Sequence, residues 1–295
     1  ERAIGNTHSE SVRDEHTYFG VFVNVKAVSN GEESGFYDFF YAPTTRGFDI
    51  DTFVSRATSI AVKSLYAKAI ETGRYEVLLM PKVFGSILQA VLVPAICADW
   101  IQKKRSPLIG KLGEQVLSES ISIVDDGAAP NLVGSRAFDD EGIQMQRKVV
   151  FDKGVLENYL YDNYTALIEN RESTGNAYRR SATSSPIPWI TNLIVIPGNQ
   201  SIDDMINQIK RGIVVYATIG EWLSNPVNGL INATITNGFY VENGEIRYGV
   251  KGVVLSGNLY ELLREKLVSL SKEVEGALRV YAPAILLRDV VVAGK

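Results

Sequence analysis

The chain has 295 residues, 45% of them hydrophobic and 22% charged, with a net charge of −4. That is enough length and apolar content to bury one large core or two smaller ones. No apolar run approaches the roughly 18 residues that a membrane-spanning helix needs. The densest basic cluster is Lys103-Lys104-Arg105, too short for a broad phosphate-binding surface, which argues against nucleic acid as a partner. Cys97 is the one cysteine and cannot close an internal disulfide, and residues 1–14 lack the apolar stretch of a signal peptide. A cytoplasmic protein is expected.

Residues 17–28 alternate Phe19, Val21, Val23 and Val25 with smaller or polar positions, the period-two pattern of a half-buried strand, and residues 36–41 are expected to pair with it. Asp49 precedes Phe53, Val54, Ala57, Ile60, Ala61 and Leu65 at helical spacing, predicting a helix closed by Gly73. Residues 75–80 read as a short strand ended by Pro81. The almost wholly apolar stretch 83–101 contains Pro94 and predicts a buried helix broken or kinked there. A domain boundary is placed here, with strands and a helix in 1–74 and the main domain in 75–295.

Beyond Pro107 short strands are punctuated by turn residues. Hairpins are expected around Asp152-Lys153-Gly154 and around Asn243-Gly244. Ser201 is positioned to cap a helix beginning Ile202-Asp203-Asp204. A longer helix is expected to bury Leu259, Leu262, Leu263, Leu267, Leu270 and Val274 on one face, and residues 285–292 supply a final strand. No internal repeat and no Gly-rich phosphate loop is visible. The predicted fold class is α+β, with a mostly antiparallel sheet or pseudo-barrel and packed helices.

Histidine is the usual source of acid-base and metal chemistry, and the chain has only His8 and His16, both in the polar opening segment. They lack the spacing that sets two imidazoles on one helix face, so they read as exposed terminal residues. Cys97 sits among apolar neighbours with no nearby histidine, which predicts an inert packed thiol. Asp125-Asp126-Gly127 and Asp139-Asp140-Glu141-Gly142 read as turns rather than cation loops, and adjacent carboxylates in one turn make a poor hydrolytic pair. Ser173-Thr174-Gly175-Asn176-Ala177-Tyr178-Arg179-Arg180 is the most unusual polar segment. It reads either as a surface turn or as a loop offering N–H groups and guanidinium forks to a carboxylate or peptide backbone.

Taken in order, several segments resemble the TldD/PmbA family: Gly110-Lys111-Leu112-Gly113-Glu114, Asp125-Asp126-Gly127, Phe138-Asp139-Asp140-Glu141-Gly142, Lys153-Gly154-Val155-Leu156, Ser173-Thr174-Gly175-Asn176-Ala177, Asn192-Leu193 with Pro197-Gly198, Asn237-Gly238-Phe239 with Glu242-Asn243-Gly244-Glu245, and Ser256-Gly257-Asn258-Leu259. The match covers residues 75–295 strongly and the first seventy-odd loosely, and the family's usual N-terminal α/β domain is expected to be absent or truncated away. One branch of the family, the TldD-like chains, carries a helical HExxxH zinc motif; the other, PmbA or TldE, lacks it. Counting back from Gly110 to Glu114, the resemblance puts Gln89 and Ala90 where that motif's first His and Glu would stand and Pro94 where its second His would stand. The zinc branch also uses a cysteine near its C-terminus, and none follows Cys97 here.

The resemblance therefore implies a PmbA-type subunit with no metal and no cofactor of its own and no activity alone. It would pair with a TldD-like zinc peptidase and help enclose a chamber for peptides or unfolded segments, with Ser173, Thr174, Gly175, Asn176 and Arg179 as candidate substrate contacts. The alternative is a stand-alone homodimeric peptide-binding or regulatory protein.

Overall fold

A computed structural model describes residues 1–7 and 9–294, so the expectation for His8 lies outside the described residues. After a short hairpin of β1 (Arg2–Asn6) and β2 (Ser9–Asp14), the alternating segment forms β3 (Phe19–Ser29), paired antiparallel with β4 (Glu32–Ala42). Asn30 and Gly31 turn the chain at φ 50° and 80°, the left-handed pair that matches the twist of a tight hairpin. Helix α1 (Ile50–Lys63) begins on Asp49, whose carboxylate accepts from the N–H groups of Asp51 and Thr52, satisfying donors the first turn leaves free. It ends at Lys63, well before Gly73. The periodic apolar residues run out at Leu65, and Tyr66 takes φ 58°, a left-handed conformation that stops the helix. Gly73 instead opens β5 (Gly73–Leu79).

The apolar stretch that follows is broken rather than kinked, into α2 (Pro81–Ala95) and α3 (Ala98–Gln102), with the break just past Pro94. Pro81 occupies the first turn of α2, where its missing N–H costs nothing, and Pro94 stands in the last turn. The chain is extended at Cys97 before α3 starts.

The remaining elements are β6 (Ile123–Asp126), β7 (Arg147–Asp152), β8 (Val155–Leu156), α4 (Asn163–Ile168), β9 (Ala177–Tyr178), β10 (Ile187–Pro188), β11 (Leu193–Val195), α5 (Ile202–Gln208), β12 (Arg211–Ile219), β13 (Leu230–Glu242), β14 (Glu245–Val250), β15 (Val253–Asn258), α6 (Leu259–Glu261), β16 (Leu267–Ala277) and β17 (Val280–Ala293). Both expected hairpins form, as β7–β8 and β13–β14, and Ser201 caps α5 in a reciprocal arrangement with Asp204. The long helix expected over residues 259–274 does not form. After α6 and a wide helical turn at Leu262–Lys266, the chain becomes β16, paired antiparallel with β17. Leu267, Leu270 and Val274 fit a helical stripe, but pairing with β17 satisfies their backbone groups over a long range that local spacing does not register.

The strands β13, β12, β5, β17 and β15 are hydrogen-bonded in a closed ring, a five-stranded barrel. The sheet continues from β17 through β11, β6 and β7 to β8. Its pairs are antiparallel except β5 with β12 and β11 with β17. One face of the strands joins the main core, where Val77, Leu79, Ile213, Val215 and Ile285 meet Phe84, Leu88 and Val91 of α2. The other face, with Leu78, Val214 and Leu286, packs against Met205 of α5 and Ile209 at its end. Covering both faces explains why β5 reads as a continuous apolar run. The β3–β4 hairpin and α1 pack through Ala27, Phe36, Ala57 and Ile60 onto Ala217 and Phe239. Among the described residues, no helix is long and apolar enough to cross a membrane.

Candidate functional site

Helix α2 buries Val83, Phe84, Ile87, Leu88, Val91 and Leu92. Lys82, Ser86, Gln89 and Ala90 form the one partly exposed stripe on it, at the i, i+4, i+7, i+8 spacing of a single helix face. Ser86, Gln89 and Ala90, with Pro94 one turn on, wall a cavity of about 1120 Å³. The β3–β4 hairpin contributes Phe22, Phe39 and Tyr41 to it, α3 contributes Trp100, and the segments before β11 and after β12 contribute Trp189 and Trp222. These aromatics were not singled out from the sequence. The available signal was phase: Phe22 is out of step with Val21 and Val23, and it is 62% exposed. The cavity is aromatic and sparsely charged, suited to ligands that present apolar side chains between polar backbone groups.

Its charged groups are largely committed. Lys103 pairs with Asp99 at 2.9 Å, and Glu221 accepts a hydrogen bond from the Thr218 hydroxyl. At the foot of the α2 stripe, Asp38 of β4, Arg56 of α1, Lys82 of α2 and Glu275 of β16 form a mutual ion cluster. Arg56 lies 2.5 Å from Asp38, and Lys82 pairs with Asp38 and lies 3.5 Å from Glu275. Burial alone would lower the Arg56 pKa, but Glu275 and Asp38 reverse that and raise it. The cluster ties the hairpin that carries Phe39 and Tyr41 to α1, α2 and β16, so it fixes one wall of the cavity. Its members are scattered along the chain, and nothing local in the sequence announces it.

The motif positions that the resemblance assigned to zinc therefore do face one cavity, and their chemistry can be tested against the metal. Gln89 offers a neutral amide, Ala90 a methyl and Pro94 a ring with no donor atom. Zinc in such a frame takes imidazole, thiolate or carboxylate ligands, and neither histidine nor cysteine lines the cavity. These residues do not fit a zinc ion. Among the described residues there is also no group of three or more His, Cys, Asp or Glu placed to hold a metal. The Cys97 thiol is fully buried and donates to the Val93 carbonyl at 3.2 Å, and burial pushes its pKa well up, which keeps it an unreactive thiol. His16 is exposed at the molecular surface.

The segment around Ser173 lies beside this cavity rather than on its wall. Asn176 is buried and donates to Asp125 at 2.7 Å and to the Trp189 carbonyl at 2.8 Å. The Thr174 hydroxyl donates to Asn176 at 2.7 Å and accepts from the Tyr161 N–H, while the Ser173 hydroxyl accepts from the Gly175 N–H. Gly175 has φ 69°, and a Cβ there would meet the Gln144 carbonyl at 2.8 Å; this is a position only glycine takes without strain. Arg179 projects from the end of the segment, its backbone N–H held by Asp140 at 2.6 Å, and the adjacent Arg180 reaches the cavity.

Beneath this segment the acidic motifs act as backbone anchors. Asp125 is fully buried, accepts from Asn176 and from the N–H and hydroxyl of Thr191, and faces Lys148 at 3.1 Å. Asp139 accepts from the N–H groups of Glu141, Ile143 and Ala177. Burial raises its pKa against the opposing pull of those donors. Asp139 thus holds the turn that follows it, as the turn reading of its motif anticipates, whereas Asp125 lies within β6 and anchors the neighbouring loops from there.

Fold and site together define an α+β barrel protein with an aromatic, helix-walled cavity and a loop pinned beside it by buried carboxylates. Residues 72–294 match the model of the PmbA/TldA metallopeptidase C-terminal domain, and the chain belongs to the PmbA/TldD family. It is 32% identical over 289 residues to an uncharacterized protein of Methanocaldococcus jannaschii, covering 97% of this chain and 65% of that protein. It is 31% identical over 229 residues to the metalloprotease TldD homolog of Haemophilus influenzae, covering 77% of this chain and 47% of that protein. Its structure is similar to the crystal structure of TldE from Thermococcus kodakarensis, with a TM-score of 0.88 and 26% identity over 94% of this chain and 63% of that one. The chain thus spans from about half to just under two thirds of these relatives.

Proposed function

We propose that this chain is a PmbA/TldE-type subunit that binds peptide segments and supports proteolysis without performing it, the zinc chemistry being supplied by a TldD-like partner in the cytoplasm. The observation that carries this reading is the α2 face: Gln89, Ala90 and Pro94 look into the large aromatic cavity with side chains that cannot hold zinc or accept a proton from water. The likeness to a TldE structure supports it. In this reading Ser173, Thr174, Gly175, Asn176 and Arg179 act on the bound peptide through their neighbours. Asn176 holds the carbonyl of Trp189, and Arg179 precedes Arg180, both of which line the cavity.

Mixing the purified chain with a TldD-like zinc peptidase is expected to raise cleavage of an unfolded peptide above that of either protein alone, with loss of all cleavage on chelation. Equal cleavage by this chain by itself, resistant to chelator, would contradict the proposal. A second reading, a homodimeric peptide-binding or regulatory protein, is favoured by the exposed apolar residues Trp222, Leu223 and Phe22, which are 70%, 65% and 62% exposed. Light scattering separates the two: a homodimer that persists when the partner is added supports the second.

A further inference from the structure

A second cavity, of about 740 Å³, is walled by Arg2, Arg136, Arg179 and Arg279 together with Asp140 and Tyr178. The four arginines arrive from β1, from the connection between β6 and β7, from the residue after β9 and from the turn between β16 and β17. Against them the cavity wall sets one carboxylate, and that carboxylate is fully used. One oxygen of Asp140 lies 2.5 Å from Arg2 and 3.7 Å from Arg136, and the other accepts the Arg179 backbone N–H at 2.6 Å. The nearby Asp14 and Asp139 are engaged by backbone N–H groups, Asp14 by Ala137 and Asp139 by three others.

Arg2 also donates to the Phe138 and Asp139 carbonyls and Arg179 to the Ser184 carbonyl, yet guanidinium donors remain. Among the described residues, the buried Nε atoms of Arg2 and Arg136 find no hydrogen-bond partner. Arg279 lies over the Tyr178 ring at 4.9 Å, and its acceptor, the Ile190 carbonyl, is 3.5 Å away. Burial, and after it repulsion from Arg136, lowers the pKa of both Arg2 and Arg279. Crowding four cations against one carboxylate in a half-buried site is costly, and an arginine fork is shaped to grip a planar or tetrahedral oxyanion through two donors at once.

We infer that this arginine-walled cavity is a binding site for an oxyanion, either a phosphate group or the carboxylate of a peptide. It shares none of the α2 residues that wall the larger cavity, and Arg179 is the one residue it has in common with the proposed peptide contacts.

The test is isothermal titration of the full chain at low salt with two probes: inorganic phosphate, and an acetylated tripeptide with a free C-terminal carboxylate beside its C-terminal amide. At least one oxyanion binds, and affinity falls tenfold or more in Arg136→Gln and Arg279→Gln while Arg247→Gln, a surface control on β14, leaves it unchanged. Binding of phosphate alone assigns a phosphate ligand; binding of the free-acid tripeptide but not its amide assigns a peptide carboxylate. Should either core variant fail to fold, Arg179→Gln alters an exposed side chain and is expected to weaken binding about threefold. No binding of either probe up to about 10 mM, or undiminished affinity in the folded variants, overturns the inference.

Discussion

Replacing Asp125 by alanine is expected to lower the free energy of unfolding by about 3–5 kcal/mol, the cost of breaking a buried pair from one side. Asp125 has no exposed surface and Lys148 is 7% exposed, so the ammonium would be stranded. The Asn176 amide and the N–H and hydroxyl of Thr191 would each lose an acceptor as well. The pair Asp125→Asn with Lys148→Met is expected to recover a large part of the loss, because it removes the stranded charge and keeps an acceptor for the neighbours. Urea unfolding of the three proteins measures this. A loss below about 1 kcal/mol in Asp125→Ala would mean that the loop from Ser173 to Ala177 is not held from beneath.

Ala90→Trp is expected to weaken binding of an unfolded peptide tenfold or more while leaving the unfolding midpoint nearly unchanged. Ala90 is partly exposed on the α2 stripe and borders the 1120 Å³ cavity, so an indole projecting from it fills the space a ligand would use rather than displacing core atoms. Overpacking a closed core would cost about 1–3 kcal/mol; a side chain with an open cavity before it avoids most of that. Fluorescence anisotropy with a labelled peptide and a thermal melt, run side by side, measure both quantities. Undiminished affinity would place the peptide elsewhere.

Much of the architecture is legible in local pattern. The alternation from Phe19 to Val25, the Asn243-Gly244 turn and the Ser201 cap each encode their element within a few residues, and each forms. The segment 259–274 does not yield to the same reading, because its leucines satisfy a helical period while the structure draws Leu267 to Ala277 into the sheet beside β17. Gly73 likewise marks a strand start rather than a helix end, since Tyr66 has already turned the chain. The barrel closes through pairs such as Leu255 with Val292, which local spacing does not reveal.

The candidate site divides in a similar way. The face carrying Gln89, Ala90 and Pro94 follows from an aligned frame plus helical geometry, and the structure sets all three on one cavity. The aromatic walls and the Asp38, Arg56, Lys82 and Glu275 cluster depend on the hairpin folding back over α1 and α2, a tertiary event with no local signature. Asn176 illustrates the reverse: an unusual polar string reads as a surface turn or a ligand loop, and only the fold shows that its amide donates to Asp125 and the Trp189 carbonyl.

The most direct measurement is metal content. The purified chain, incubated with excess zinc, passed through a desalting column and digested for elemental analysis, is expected to retain less than about 0.1 zinc per chain, because an amide, a methyl and a pyrrolidine supply no zinc ligand set. Retention of one zinc per chain, together with chelator-sensitive peptide cleavage in the absence of any partner, would contradict it.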